Sequence, residues 1–166
     1  MSAHLQLAER THALEALFRD IALTRMAGVP VLHPGVRVEA VDFIAHADEG
    51  DAQPGALGVL MTPWFMNLVW FPLERHDSAG RVGVSRSREC GSETFEFITA
   101  HEERFGSFEA CSLFSPMFQF ANHAAARDTA AAVLASLRAK PVGSIEQPPA
   151  RRSFLFGRSA VEERGA

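Results

Sequence analysis

Leu57 Gly58 Val59 Leu60 Met61 Thr62 Pro63 Trp64 Phe65 Met66 Asn67 Leu68 Val69 Trp70 Phe71 is the stretch on which the fold turns. It reads as two β-rich runs, Leu57 to Thr62 and Trp64 to Phe71, separated by Pro63, which has no backbone donor and so marks a bend, bulge or edge. Both runs are too apolar for a strand with one wet face. Either a helix covers each side, or part of the segment is a surface that binds a partner. The stretch is also too broken to cross a bilayer, since Pro63, Asn67 and Pro72 interrupt it and a span needs about 20 mostly apolar residues.

Outward from this centre the periodicity changes twice. Upstream, Leu14, Leu17, Phe18 and Ile21 fall at i, i+3, i+4 and i+7, which predicts a helix from about Leu5 to Met26, stopped by Gly28 and Pro30. From Val36 the alternation of Val36, Val38 and Ala40 with Arg37, Glu39 and Val41 suits a half-buried strand. Asp48 to Gly55 reads as a surface loop that buries almost nothing. Downstream, a polar stretch from Glu74 to Gly91 precedes a hairpin, Thr94 to Ala100 and Ser107 to Phe114. Nine alanines between Ala121 and Ala139, with Val133, Leu134 and Leu137, predict a second helix. The expected fold class is therefore α+β: an N-terminal helix, an antiparallel sheet of four to five strands, an Ala-rich helix and an extended tail. Residues 1–140 are expected to form one domain, and residues 141–166 a Pro-containing linker and basic tail.

The 166 residues carry 16 Lys plus Arg against 20 Asp plus Glu, so the net charge of -4 gives no footprint for nucleic acid. Glu9, Glu15 and Asp20 interrupt the first thirty residues, which lack the apolar centre of a secretory signal, so cytoplasmic residence is the expectation. The charge is uneven, with Arg151, Arg152, Arg158 and Arg164 concentrated at the C-terminal end of an acidic body.

Catalytic and metal-binding patterns are weak. Seven scattered histidines include no close pair at ligand spacing, and Cys90 and Cys111 form no framework. Cys111 is expected as a buried, inert thiol and Cys90 as an exposed one. There is no Gly-rich phosphate loop and no nucleophile elbow, so no catalytic residue and no cofactor is assigned. A binding function is favoured over an enzymatic one.

Two apolar clusters stand out as candidate binding residues. Trp64, Phe65, Met66 and Asn67 follow the Pro63 bend, and Phe114, Ser115, Pro116 and Met117 sit at a strand-to-helix junction. Aromatic rings beside flexible thioethers make adaptable contact surfaces, although core packing explains such residues equally well. The third feature is the tail: Arg151 and Arg152, a spacer, then Phe154, Leu155, Phe156, Gly157 and Arg158. Two arginines followed by Phe-Leu is the order of a twin-arginine export signal, here at the wrong end of the chain to be one.

With His33 Pro34, Leu57 Gly58 Val59, Thr62 to Leu68, Cys111 to Met117 and the tail motif in this order, the chain resembles the HybE family of nickel-iron hydrogenase assembly chaperones, which includes the HupJ and HoxT accessory proteins. The resemblance implies a cytoplasmic maturation factor for an uptake hydrogenase exported through the twin-arginine route. It implies partners among the small subunit, the large subunit and other maturation factors, and no resident metal. Two alternatives stay open: a scaffold recruiting other maturation proteins, and a metal or cluster carrier using Cys111 and histidines. A receptor for a twin-arginine peptide needs carboxylates and an apolar recess. Glu39, Asp42, Asp48, Glu49, Asp51, Glu102 and Glu103 are the candidate acids.

Overall fold

Ser2 opens the first helix by accepting the Leu5 N–H on its hydroxyl at 3.2 Å, and α1 runs Ala3–Leu23. Its buried stripe is Leu14, Leu17, Phe18 and Ile21, as the spacing predicts. Each such side chain contributes about 1.5–3 kcal/mol on leaving water. The computed structural model describes residues 2–77 and 81–139. The tail motif Arg151, Arg152, Phe154, Leu155, Phe156, Gly157 and Arg158 lies outside the described residues, as does the linker from 140.

Six strands follow: β1 Glu39–His46, β2 Gly55–Met61, β3 Met66–Pro72, β4 Ser85–Cys90, β5 Glu93–Glu102 and β6 Gly106–Phe114. Then α2, His123–Arg138, starts where the Asn122 side chain accepts the Ala125 N–H at 2.9 Å. The strands form one antiparallel sheet in the order β1-β2-β3-β6-β5-β4. The hairpin predicted around Glu102 to Gly106 is β5–β6. The sixth strand is β4, inside the stretch read as polar, which carries no predicted strand.

Alternation along the strands sorts the apolar residues onto two faces, and a helix covers each. On one side Phe43, Leu60, Val69, Phe71 and Phe108 pack with the α1 stripe. On the other, Val41, Leu57, Val59, Met66, Leu68, Trp70, Cys90, Phe95 and Phe97 pack with Ala126, Ala130, Val133, Leu134 and Leu137 of α2. This accounts for the strongly apolar runs: β2 is buried throughout, and β3 throughout except Asn67.

The sheet curls around α2. Arg138 donates to the carbonyls of Asp42 and Leu57, near one edge, while the Leu137 carbonyl lies against Gly91, beyond the strand at the other. The β1–β2 loop also reaches across to β4, where Asp51 binds Arg86 and Arg88. Two expectations are corrected by this curvature. Asp51 in the supposed surface loop is 97% buried at its side chain because two guanidinium groups draw it inward. Cys90 is buried, not exposed, because it lies on the inward face of a strand.

Candidate functional site

The β2–β3 turn is built around Thr62. Its buried hydroxyl accepts the N–H groups of Trp64 (3.1 Å) and Phe65 (3.0 Å), and its own N–H donates to the Phe65 carbonyl at 2.8 Å. Pro63, with no N–H to satisfy, fits the bend, and its carbonyl accepts the His33 N–H at 2.9 Å. The turn holds Trp64 and Phe65 half-buried against Phe18 of α1, with ring centroids 6.4 and 5.9 Å from it.

The second cluster lies beside the first, because Met66 pairs with Phe114 across β3 and β6. After Phe114 the chain turns through a cis Ser115–Pro116 bond, and both residues are exposed. His33 fastens the junction. Its Nδ1 accepts the Gly35 N–H at 2.9 Å, so Nε2 carries the proton and donates to the Phe120 carbonyl at 2.7 Å. Phe118, 54% exposed, stacks on the His33 ring.

The two clusters thus meet at one end of the sheet, yet not all of their side chains share a surface. Met66 and Met117 are fully buried and pack with Leu68 and Phe120 under α2. Their expected role as accessible contact residues is corrected here: strand alternation sends Met66 inward beside Leu68 and Trp70, and Met117 fills the core below the junction. Phe114 is half-buried against the same core. Trp64, Phe65, Asn67, Ser115 and Pro116 retain accessible surface. Phe118 and His33 complete this end. Phe118 was legible only as part of an aromatic run, since its exposure depends on the stack with His33.

Asn67 lies in register with Ser112 of β6, and its Oδ1 is buried with no hydrogen-bond partner. On the far side of Ser112, β5 carries the exposed Glu96, whose carboxylate receives the hydroxyls of Ser85 and Ser87.

Most of the candidate acids are already engaged. Glu39 binds His123 and Arg127, each at 2.8 Å, and Glu102 takes both arms of Arg25 at 3.0 Å. Burial pushes the Glu39 carboxyl upward, but its hydrogen bonds from Arg127 and His123 outweigh that and hold it below the usual range. Asp51 is depressed in the same way: burial opposes ionisation, and Arg88, the Asp48 N–H and Arg86 overcome it. Arg88 itself has no exposed side-chain surface. It sits 3.7 Å from the centre of the Trp70 ring, 2.6 Å from Glu109 and 2.9 Å from Asp51. A cavity of about 320 Å³ borders this cluster, lined in part by Asp51, Trp70, His76, Arg86 and Glu109. The carboxylates facing it already accept from Arg86 and Arg88. The cluster is a strut between loop and sheet rather than a receptor for a guest guanidinium. Asp42, Glu49 and Glu103 are the candidate acids exposed at the surface.

Burial raises the Cys90 thiol to about 12, with Asp48 adding to the shift, and burial also raises Cys111. Among the described residues no three His, Cys, Asp or Glu side chains are grouped to hold a metal ion, and no helix is long and apolar enough to cross a membrane.

Comparison with known proteins places the chain. Residues 9–157 match the family model described as "[NiFe]-hydrogenase assembly, chaperone, HybE". The chain is 46% identical over 166 aligned positions to Protein HoxT of Cupriavidus necator, covering 93% of this chain and 92% of that one. It is 36% identical to the hydrogenase expression/formation protein HupJ of Bradyrhizobium diazoefficiens, over 92% and 89% of the two chains. The solution structure of HybE from Escherichia coli shares the fold, with a TM-score of 0.56 at 21% identity over 84% of this chain and 83% of that one. With the family model spanning nearly the whole chain, this protein belongs to the HybE family of nickel-iron hydrogenase assembly chaperones.

Proposed function

We propose that this chain acts in the cytoplasm as a non-catalytic chaperone that holds the small subunit of a nickel-iron uptake hydrogenase before assembly and export. The grip is the end of the sheet where Trp64, Phe65 and Asn67 meet Phe114, Ser115 and Pro116, with Phe118 at its rim. Family membership supports the hydrogenase client. The observation that carries the site is the Met66–Phe114 pairing, which draws two separate aromatic clusters together and leaves Trp64 and Phe65 half-exposed beside exposed Ser115 and Pro116. Half-buried aromatic anchors ringed by small polar groups suit a protein contact. The client's twin-arginine signal is the finer part of the reading. With Glu39, Asp48, Asp51 and Glu102 engaged inside the chain, its guanidinium groups are left the exposed acids.

The test is capture of purified hydrogenase small subunit, with and without its signal sequence, on immobilised chain. Capture of both forms, stronger for the full-length one, is expected. Equal capture removes the signal from the reading, and no capture of either removes the small subunit. Trp64→Ala should weaken capture about 30-fold, as loss of a contact worth about 2 kcal/mol does. A circular dichroism melt accompanies it to show that the variant folds.

A further inference from the structure

The two edges of the sheet are finished differently. Around β1 the outward backbone groups are taken by side chains: Glu15 accepts the Ala40 N–H at 2.8 Å, His123 accepts the Arg37 N–H at 3.1 Å, and Arg138 donates to the Asp42 carbonyl at 3.0 Å. β4 is the opposite edge. The Thr99 N–H bonds the Val84 carbonyl, so positions 84, 86, 88 and 90 face β5. Ser85, Ser87 and Glu89 therefore turn their N–H and C=O groups away from the sheet. Asp48 takes the Glu89 N–H at 3.2 Å. Among the described residues no strand lies beside Ser85 and Ser87. An edge left open in this way is a template for one more strand.

The surface next to that edge has a chemistry of its own. The Ser85 and Ser87 hydroxyls both donate to Glu96, and Ile98, paired with Ser85, is 45% exposed. Because the serines are small, side chains of a strand laid beyond β4 reach over them to an anionic spot and an apolar one. The fitting occupant is extended and alternates cations with large apolar groups.

The chain carries such a segment in its sequence, and the helix that precedes it ends at this edge. The Leu137 carbonyl packs where Gly91 has no Cβ, and a Cβ there would lie 2.0 Å from it, so α2 ends beside the residue that follows β4. Eleven residues, 140–150, separate Ala139 from Arg151. Fully extended they span up to about 40 Å, twice the ~20 Å length of a six-residue strand. At a period of two, Arg152, Phe154, Phe156 and Arg158 fall on one side of the segment, and Arg151, Ser153, Leu155 and Gly157 on the other.

We propose that residues 151–158 of this chain add to the open edge of β4 as a seventh strand, antiparallel to it, with arginine at Glu96 and phenylalanine on Ile98. The segment then acts as a tethered competitor. Its effective concentration reaches the millimolar range, so only a partner strand of like pattern and higher intrinsic affinity takes the edge from it. This inference is independent of which client is held at Trp64 and Phe65.

The test is residue-resolved amide hydrogen exchange on the full-length chain and on a full-length Phe154→Asp/Phe156→Asp variant. Ser85 and Ser87 amides are expected to exchange about tenfold or more faster in the variant, with Leu68 and Phe97 unchanged as a check on the fold. Adding a synthetic peptide of residues 150–159 should restore slow exchange. Equal exchange in the two chains overturns the proposal. Protection that depends on protein concentration and survives the double substitution assigns the edge to a second copy, and overturns it equally.

Discussion

At the scale of single residues, the two candidate clusters were visible in sequence as aromatics beside thioethers, but which members face out was not. Strand alternation decides it, and alternation acquires a direction only once Met66 is paired with Phe114. Asn67 carries a second consequence. A buried acceptor without a partner costs about 1–3 kcal/mol, so Asn67→Leu should raise stability by about 1 kcal/mol, or the melting temperature by about 2–4 °C. The same variant should bind client more weakly if that amide serves the contact. Calorimetric melting and small-subunit capture read the two effects. Cys90 gives a chemical check on burial: with its thiol raised to about 12, it should resist iodoacetamide at pH 8 in the folded chain and label rapidly in denaturant, as peptide mass spectrometry would report.

At the scale of elements, α1, α2 and the β5–β6 hairpin follow from apolar spacing and propensity, and β2 and β3 from two strongly apolar runs parted by Pro63. β4 does not. Its inward positions are Arg86, Arg88 and Cys90, and a strand that turns arginines toward a core has the composition of a loop. What makes it a strand is remote in sequence: Glu109 and Asp51 neutralise Arg88, and Trp70 lies under the guanidinium. The β4–β5 turn is equally dependent on a distant partner. Gly91 has φ +69° and meets the Leu137 carbonyl where a side chain would begin. Gly91→Ala should cost about 1–3 kcal/mol from backbone strain alone. Displacement of the end of α2 adds to this, seen as a lower urea midpoint and faster amide exchange over 134–138.

For the whole molecule, the ion-pair strut makes stability depend on acid. Asp51 and Glu39 have folded pKa values below their ordinary ones, so the stability they contribute is present above the usual carboxylate range, near pH 4. It is lost as pH falls through the depressed folded values. Urea unfolding should be nearly flat from pH 6 to 7 and weaken steeply below about pH 4. Asp51→Asn should lower stability at pH 7 by about 1–3 kcal/mol, because it leaves the buried Arg88 with Glu109 as its main counter-charge, and flatten the acid slope. The sequence displayed all these charges without showing that four of the seven candidate acids hold the chain to itself. That fact emerges only when the sheet curls.

The curl has a further consequence during synthesis. Glu39 waits for His123 and Arg127, more than eighty residues later, and Leu57, Leu68 and Phe97 wait for the helix that carries them. Such distant pairings form slowly. While the ribosome is still extending the chain, half of the apolar interior has no lid, so a protein whose relatives assist hydrogenase formation emerges greasy and in need of shelter itself.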